Sequence, residues 1–539
     1  MRKLLLGLTA VAAALMMSAS RGDPFETSKQ LEIFTNVLRE VQTQYVDVVS
    51  AEQAVGSAIR GMLRQLDPYT VYYPEDQIED VRLLQTGAYG GIGCTIQRVE
   101  NEIFISSLHP GGPASKVGLQ VGDHIRAVGN TSTTGKSTSE VSTLLKGTPG
   151  TEVTLEIGRY NSPTQTYTFN REDIVQNPVP FYGLREDGTG YIYLDAFTER
   201  ASAEVGKAIK DLKSQGANAF ILDLRGNGGG LLMEAVKIVS FFVETTDTVV
   251  STRGRGGKIQ DVYRTQGRAL WPKGPVAVLI DGASASASEI VAGALQDFDR
   301  AVILGEQSFG KGLVQQVHPL PFGAQMKVTV AKYYTPSGRC IQKVNYERDE
   351  DGEREEKQES KVFTTAAGRP VVDGEGIAPD SVLQSPYYPE AVAALSAKAL
   401  DLKFAGRVLP ELDPEQGAAA FAMDENLWQA FTQVLEEEDF EFTSIGELQL
   451  ERLLEDVEEM DYITEEDVEG WIAVLAERRG KVLETDKDAM VEYLEDYLVS
   501  KKFGTAGTLE RGLQADEVVV IAADILHEPG TIERLLSVK

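Results

Sequence analysis

The 539-residue sequence predicts a multidomain α/β protein. In the middle of the chain, apolar segments of strand length alternate with segments of amphipathic helical period, an order typical of a parallel sheet with crossover helices. These segments are residues 191–196, 201–214, 219–224, 231–242, 276–280 and 286–296. Helical patterns flank this layer on both sides. A chain of this length holds three or four domains, each with its own core.

The first 20 residues have the pattern of a secretory signal peptide. Arg2 and Lys3 precede an apolar stretch over 4–17 and small residues at 18–20. We therefore expect an exported protein in the periplasm or another extracytoplasmic compartment. An uncleaved signal would tether it to the membrane.

Residues 24–85 are predicted to be helical. Apolar side chains recur there at spacings of three and four, which places them on one helix face. This stripe consists of Leu31, Phe34, Leu38, Val41 and Tyr45. On residue pattern alone it is ordinary core or packing surface.

The net charge of −30 is concentrated near the C-terminus. Residues 411–539 contain 34 Asp or Glu against 10 Lys or Arg, which is 24 of the 30 net negative charges. Capping boxes at Ser444/Glu447 and Thr464/Asp467 start helices, so residues 386–539 are predicted to be a folded acidic helical domain. Such a charge disfavours nucleic acid and anionic lipid as partners.

Cys94 and Cys340 are the only cysteines. Two are too few for a disulfide framework, and we expect them to remain unpaired. Metal-ligand spacing is absent from the sequence, so neither a metal nor another cofactor is expected.

Three serines spaced two apart precede the helix predicted from residue 286, and Lys311 lies 25 residues beyond the middle one, Ser286. A hydroxyl needs a neighbouring base to become a nucleophile, and a lysine serves as that base when its surroundings lower its pKa. The alternative is purely structural, because Ser286 and Glu289 form a capping box. Capping and catalysis are compatible at a helix N-terminus, whose free N–H groups stabilise an oxyanion.

Lys311 also invites comparison with a phosphate-binding P-loop, since Gly305 and Gly310 precede it at the right spacing. The magnesium-binding Ser or Thr is replaced by Gly312, and the following residues predict a strand in place of the required helix. A nucleotide site is therefore disfavoured. A histidine-based triad is also less attractive, because only His318 of the four histidines lies near this motif.

A second glycine cluster follows the strand predicted over 219–224. Residues 225–230 read Arg-Gly-Asn-Gly-Gly-Gly, a loop with exposed backbone amides before a helix. An oxyanion hole needs two N–H donors, and this loop could supply one while the residue after the serine supplies the other.

Residues 86–170 resemble a PDZ domain. Ile92, Gly93 and Cys94 follow Gly91 in the glycine–apolar–glycine–apolar pattern of its carboxylate-binding loop, and the turn and strand of 110–125 follow in order. The resemblance implies a groove in which an extended peptide adds as a strand and its terminal carboxylate meets successive N–H groups.

Together these motifs resemble the C-terminal processing, or tail-specific, peptidases, which are PDZ-containing serine endopeptidases. The resemblance rests on Ser-Ala-Ser-Ala-Ser-Glu-Ile, Gly-Ala-Leu-Gln-Asp, Phe-Gly-Lys-Gly and Tyr-Thr-Pro-Ser-Gly-Arg, all in the family's order. It implies that Ser286 is the nucleophile, Lys311 the general base and Gln315 the group that orients the lysine. The N–H groups of Gly230 and Ala287 would form the oxyanion hole.

The same resemblance implies a domain order. It gives a helical N-terminal arm that often mediates dimerisation, the PDZ domain, and a Ser/Lys peptidase core over 171–385 with a charged loop at 347–361.

One departure from the family's pattern is the run Asn227-Gly-Gly-Gly where many relatives have Asn-Pro-Gly-Gly, from which we expect a more flexible loop. We expect the resemblance to end near residue 385.

Two functions fit these residues. The first is an exported endopeptidase that binds free C-termini of protein or peptide substrates and cuts them by acyl-enzyme chemistry. The second is a catalytically idle PDZ scaffold on the same fold. The acidic helical domain either docks a protein partner or another protomer, or simply packs on the core. If it is a separate module, truncation after about residue 385 leaves a chain that still cleaves a short peptide.

Overall fold

The computed structural model describes residues 24–244, 246–346, 360–384, 388–413, 417–457, 460 and 462–537. The predicted signal peptide and most of the predicted charged loop lie outside the described residues. The chain forms two compact units. Their residues are Met1–Tyr72 with Val317–Thr329, and Tyr73–Gln316 with Val330–Lys539.

The smaller unit begins with two helices, as predicted. They are α1 (Pro24–Gln44) and α2 (Ala51–Leu63). The short strand β1 (Val71–Tyr73) follows, so the prediction that residues 24–85 are helical is wrong there, because this segment is extended. Most of the apolar stripe is solvent-exposed, with exposed fractions of 62% at Leu31 and 61% at Tyr45, the residue after the end of α1, whereas Leu38 is partly buried. The stripe therefore does not form core within the single chain. None of the described helices is long and apolar enough to cross a membrane.

The larger unit opens with helix α3 (Ile78–Thr86) and then the PDZ region. Its elements are β2 (Ala88–Gly91), β3 (Cys94–Val99), β4 (Glu102–Leu108), α4 (Pro113–Lys116), β5 (His124–Val128), β6 (Thr131–Ser132), α5 (Thr138–Leu145), β7 (Glu152–Arg159), β8 (Ser162–Asn170) and β9 (Glu172–Val175). The main sheet has the order β3-β4-β5-β7-β8, with β6 beside β5. Strand β9 pairs with β2, so the PDZ region runs a few residues past 170.

The peptidase region follows with alternating strands and helices. Its elements are β10 (Phe181–Leu184), β11 (Thr189–Tyr193), α6 (Ala201–Ser214), β12 (Ala219–Asp223), α7 (Leu232–Ser240), β13 (Thr248–Arg253), β14 (Ile259–Arg264), β15 (Val276–Ile280), α8 (Ala287–Asp297), β16 (Val302–Gly305), β17 (Leu313–Pro319), β18 (Gln325–Tyr334), β19 (Val362–Thr364), β20 (Pro370–Val372) and β21 (Ser381–Val382).

The central sheet of this region has the order β10-β11-β12-β15-β16-β21. Strands β11, β12, β15, β16 and β21 are parallel, as the alternating pattern predicts, and β10 joins the edge antiparallel. Every residue of β12, β15 and β16 is buried, which explains why these strands read as continuous apolar runs. The loops after β12 and β15 therefore lie together at the carboxyl end of the sheet.

The C-terminal region is helical, as predicted. Its helices are α9 (Glu390–Ala397), α10 (Leu400–Val408), α11 (Glu425–Glu437), α12 (Ile445–Asp456), α13 (Glu465–Arg479), α14 (Val482–Thr485), α15 (Lys487–Gly512), α16 (Glu517–His527) and α17 (Thr531–Leu536). Helix α15 kinks at Gly504, where φ is +68°. The predicted capping boxes at Ser444 and Thr464 are both present.

Helices α9, α10, α11 and α15 share one apolar core, which also takes in Val121 of the PDZ region. One close approach between these regions involves two glycines. A Cβ at Gly122 would lie 2.7 Å from the Gly406 Cα, and one at Gly406 would lie 3.0 Å from the Gly122 Cα. At this point the PDZ region contacts α10 through bare backbone.

Helices α16 and α17 have a different role. Val518, Val519, Ala522, Ala523 and Leu526 of α16 are buried against the central sheet, on residues of β11, β12, β15 and β16. Helices α6, α7 and α8 belong to the other apolar core of that sheet. The predicted acidic helical domain therefore has two parts, and the second completes the peptidase core.

Candidate active site

The serine triplet divides into two buried hydroxyls and one accessible hydroxyl. Ser284 and Ser288 are fully buried, and their hydroxyls donate to the carbonyls of Leu224 and Asn227, each at 2.8 Å. Ser286 is only partly buried. The outer serines therefore fasten the turn to the neighbouring loop, and Ser286 alone is left facing outward.

Ser286 stands at the N-terminus of α8 in an unusual backbone conformation, with φ +57° and ψ −110°. Such a conformation is costly for a residue with a side chain and persists only where the surroundings enforce it. The free N–H groups and the positive end of the helix dipole lie at the same point. A nucleophile here would have its oxyanion donors beside it.

The Glu289 carboxylate joins this turn to the lysine segment. Its Oε2 accepts the N–H of Ser286 at 2.8 Å and that of Lys311 at 2.9 Å. Its Oε1 accepts the N–H of Gly310 at 2.8 Å and the hydroxyl of Ser308 at 2.6 Å. Burial raises the pKa of Glu289, and these hydrogen bonds oppose that rise. The carboxylate therefore holds residues 286 and 308–311 in one cluster.

Tyr333 ties the same two residues from their carbonyl side. Its hydroxyl lies 3.0 Å from the Ser286 carbonyl oxygen and 2.7 Å from that of Lys311. The ring is buried, and burial raises the pKa of Tyr333 well above its ordinary value, so the hydroxyl keeps its proton and acts as donor. Glu289 and Tyr333 together fix the backbones of Ser286 and Lys311 as neighbours.

Lys311 lies in an irregular segment of the backbone, and Gln315 lies in the strand that follows it. Lys311 is partly buried in the irregular segment before β17, and Gln315 is the third residue of that strand and is also partly buried. The chain turns at Gly310, where φ is +86°. A Cβ at Gly310 would lie 2.6 Å from the Lys343 Cβ, so the close approach of another segment requires glycine there. The lysine is therefore not part of the extended strand that carries Gln315.

The glycine loop of residues 225–230 is anchored by a buried asparagine. The Asn227 side chain donates to the Leu194 carbonyl at 2.7 Å and accepts the Gly229 N–H at 2.8 Å. The Asn227 carbonyl accepts the Ala285 N–H at 3.0 Å. These hydrogen bonds connect the loop to its neighbouring segments, and the greater flexibility expected from its three glycines stays a prediction. Gly228 lies outside the positive-φ region, and a Cβ there would have open space around it.

This loop lies directly on the serine turn. A Cβ at Gly229 would come within 2.8 Å of the Ser286 Cβ and 3.0 Å of the Ala287 nitrogen. Gly230 forms a parallel bridge with Phe197, whose carbonyl oxygen would be 2.4 Å from a Cβ at Gly230. The structure thus brings the Gly229–Gly230 backbone to the N-terminus of α8, where Ala287 is the first helical residue.

The predicted carboxylate-binding loop lies in the PDZ region. Ile92 is buried, Gly93 has φ +73°, and the Ile92 carbonyl accepts the Ala114 N–H at 2.9 Å. Within the described sheet, β3 begins at Cys94 and pairs only with β4, so its outer edge is open to a further strand. Burial raises the pKa of Cys94 to about 12. Cys94 and Cys340 are both free thiols in the structure.

Three features of the site were missed by the sequence reasoning. Glu289 was assigned only a helix-capping role, and Tyr333 and Asn227 were assigned none. Most of their partners lie about 20 to 60 residues away in sequence, so periodicity and capping patterns carry no signal for these contacts. A buried carboxylate next to a serine motif would have been the one available hint.

Comparisons with known proteins cover all four predicted regions. Family models match residues 10–77 (activating protease CtpB N-terminal domain), 104–159 (PDZ domain), 188–351 (peptidase family S41) and 392–526 (probable PDZ-protease, C-terminal helical domain). The last match corrects our expectation that the resemblance ends near residue 385.

Curated relatives and a solved structure match 60 to 64% of the chain. The carboxy-terminal-processing protease of Bartonella bacilliformis is 37% identical over 348 residues, which is 64% of this chain and 79% of the relative. The carboxy-terminal processing protease CtpA of Bacillus subtilis is 31% identical, over 60% of this chain and 68% of the relative. The solved photosystem II D1 C-terminal processing protease is 30% identical, covers 64% of this chain and 86% of its own, and has a TM-score of 0.38.

The matched regions follow the predicted order of helical arm, PDZ domain, α/β peptidase core and helical C-terminal domain. The chain therefore belongs to the carboxy-terminal-processing protease family of serine-type peptidases.

Proposed function

We propose that the protein is an exported endopeptidase in which Ser286 is the nucleophile and Lys311 its general base. The observation that carries this proposal is the double tie between the two residues. The Glu289 carboxylate accepts both of their N–H groups, and the Tyr333 hydroxyl contacts both of their carbonyls. Two buried polar side chains therefore hold Ser286 and Lys311 side by side, as a joint role in one reaction requires.

The proposed reaction proceeds through an acyl-enzyme. Neutral Lys311 takes the proton of the Ser286 hydroxyl as its oxygen attacks the peptide carbonyl. The N–H groups of Gly230 and Ala287 donate to the resulting oxyanion, and Gln315 holds the lysine amine in place. Collapse of the intermediate breaks the C–N bond, and the amine leaves with the proton from Lys311. Lys311 then takes a proton from a water molecule as the water oxygen attacks the ester. The C–O bond to Ser286 breaks, and Lys311 returns the proton to the serine oxygen.

We further propose that the PDZ region selects substrates by their free C-terminus. Ile92, Gly93 and Cys94 supply successive N–H groups to a terminal carboxylate. The open edge of β3 supports this proposal, because an extended peptide can add there as a further strand. Protein and peptide substrates with free C-termini are therefore the expected partners.

We also propose where the protein is located and how it assembles. The leader of residues 1–20 supports export, with or without a membrane tether. The exposed stripe of α1 supports a homodimer through the N-terminal helices, since apolar faces of this length are normally covered. The acidic helical region offers a further surface for a protein partner.

The proposal is tested by turnover of a fluorogenic peptide with a free C-terminus. We expect Ser286→Ala and Lys311→Ala each to reduce kcat/KM by at least about 1,000-fold, as in other enzymes that lose a nucleophile or its base. Ser396→Ala and Lys273→Ala are matched controls, because both side chains are exposed and lie outside the site. Substantial turnover by either site variant would refute the assignment.

A second arm tests tail recognition. Amidation of the substrate C-terminus removes the carboxylate charge, so kcat/KM should fall by about 10-fold or more. Equal rates for free and amidated peptides would exclude the PDZ part of the proposal. Wild-type protein that binds the tail without cleaving it would instead favour the idle scaffold.

A further inference from the structure

Arg225, the first residue of the glycine loop, is shared by two carboxylates. The guanidinium lies between Asp223, at 2.6 to 3.0 Å, and Asp516, whose Oδ2 is 2.9 Å from Nη2. Asp223 is completely buried and also accepts the Tyr191 hydroxyl at 2.8 Å. The Asp223 carboxylate alone balances the positive charge of Arg225. The contact with Asp516 is not needed for charge balance, so we look for another role.

Asp516 comes from the C-terminal part of the chain, 291 residues away. It is the N-cap of α16, the helix that covers one face of the central sheet, and its Oδ1 accepts the Val519 N–H at 3.0 Å. The same carboxylate therefore caps a helix and restrains Arg225. The capping task needs only a hydrogen-bond acceptor, whereas the contact with Arg225 uses the charge.

The position of Arg225 affects both the glycine loop of residues 225–230 and the turn that leads to Ser286. The next residue, Gly226, donates its N–H to both oxygens of the Asp281 carboxylate, at 3.0 and 2.9 Å. Asp281 in turn accepts the N–H of Ser284 at 2.9 Å, within the turn that leads to Ser286. A shift of Arg225 would move the glycine loop and the serine turn relative to each other.

We propose that Asp516 is a positioning residue for the peptidase reaction. Through Arg225 it holds residues 226–230 where the N–H groups of Gly230 and Ala287 converge on the oxyanion. This inference rests on the proposed oxyanion role of that loop. The C-terminal helical region thereby sets the rate of the chemical step and leaves the affinity for the substrate tail unchanged.

The test is Asp516→Asn in the full-length chain, because asparagine keeps the N-cap while losing the charge. We expect kcat to fall about 5-fold, the effect of one partly exposed ion pair on a barrier, with KM changed less than about 2-fold. Phosphonylation of Ser286 by a fluorophosphonate, in which the serine oxygen bonds to phosphorus as fluoride leaves, should slow by the same factor. Asp516→Glu, which retains the charge, should restore part of the rate.

The matched control is Asp424→Asn, another N-cap aspartate, which accepts the Leu427 N–H at 2.9 Å at the start of α11. Its kcat should equal that of wild type, and the two asparagine variants should melt within about 2 °C of each other, since both keep their caps. An unchanged kcat in Asp516→Asn, or a loss of rate that only follows a lower Tm, would overturn the inference.

Failure of the inference is distinguishable from failure of the proposed function. If Ser286→Ala abolishes turnover while Asp516→Asn has the wild-type kcat, only the positioning role is wrong. If Ser286→Ala retains turnover, the proposed site itself is wrong and the role of Asp516 in it is refuted as well.

Discussion

Two helix pairs in the acidic C-terminal region have similar sequence features and opposite surroundings. Both α16–α17 and the hairpin α12–α13 contain acidic residues and begin at capping side chains. In α16, Val519 and Ala523 are at most 1% exposed against the sheet, whereas Trp471 and Val474 of α13 are 47% and 48% exposed. Net charge and capping therefore do not reveal whether a helix is a structural layer or a solvated hairpin.

The difference lies in the size and order of the apolar residues. Helix α16 contains three consecutive valines and two adjacent alanines, and its small side chains let the helix approach the sheet closely. In α13 only Val468 is buried, and its other apolar residues are spread around the helix. A concentrated apolar face predicts a buried layer, and a dispersed one does not.

The largest expected effect is that of removing α16 and α17. Truncation after Gly512 exposes the sheet residues that these helices bury, among them Ile221, Leu279 and Leu304. We expect aggregation or loss of the cooperative melting transition in circular dichroism, because the lost apolar burial is comparable to the whole free energy of folding. This replaces our expectation that truncation after about residue 385 leaves an active core. A monodisperse truncated chain that melts near the wild-type temperature would contradict it.

A matched pair of substitutions measures the same contrast without removing chain. Ala523→Asp places a charge in a fully buried position and should lower the free energy of unfolding by about 3 kcal/mol or more. Val474→Asp introduces the same charge on the exposed side of α13 and should change it by no more than about 0.5 kcal/mol. Urea denaturation gives both values, and equal costs would remove the distinction.

Cap removal should produce a smaller, local effect. Ser444→Ala deletes the hydroxyl that accepts the Glu447 N–H at 3.2 Å, and we expect a loss of about 1 kcal/mol confined to the hairpin. Hydrogen exchange should quicken in residues 444–457 while α16 keeps its protection. Faster exchange in α16 would show that the two helix pairs unfold together.

The smallest expected difference between the two helix pairs is their loss of stability at low pH. Burial by itself raises the pKa of Glu447, but its hydrogen bonds from Ser444 and its ion pair with Arg479 lower the pKa below its ordinary value. A lowered pKa stabilises the fold above the unfolded pKa of about 4.3, and that stability is lost as pH falls through the folded pKa. Pepsin at about pH 3.5 should therefore first cut within 444–480. First cuts within α16 would reverse this order.

Much of the fold was predictable because its signals are local. Helix α6 and strand β15 have the predicted bounds, since an amphipathic stripe and a short apolar run identify them without reference to neighbours. The antiparallel attachment of β10 and the placement of α16 under the sheet were not predicted. Both depend on contacts between distant segments, which periodicity does not encode.

The site shows the same division. The serine triplet and the glycine-flanked lysine are short motifs, so Ser286 and Lys311 could be proposed from sequence. Glu289 was visible only as a capping residue, because its contact with Lys311 exists only once β16 and α8 are packed side by side. The contact between Arg225 and Asp516 spans more than half of the chain and leaves no local trace.

The backbone contact between Gly122 and Gly406 has a mechanical consequence. A contact between side chains absorbs a small displacement by a change of rotamer, but two glycines in direct contact have no rotamers to change. A Cβ on either residue would collide with the other, so the junction also leaves no room for substitution. The backbones of the PDZ region and α10 are therefore already as close as they can come at Gly122 and Gly406, and any displacement that presses one against the other must move both.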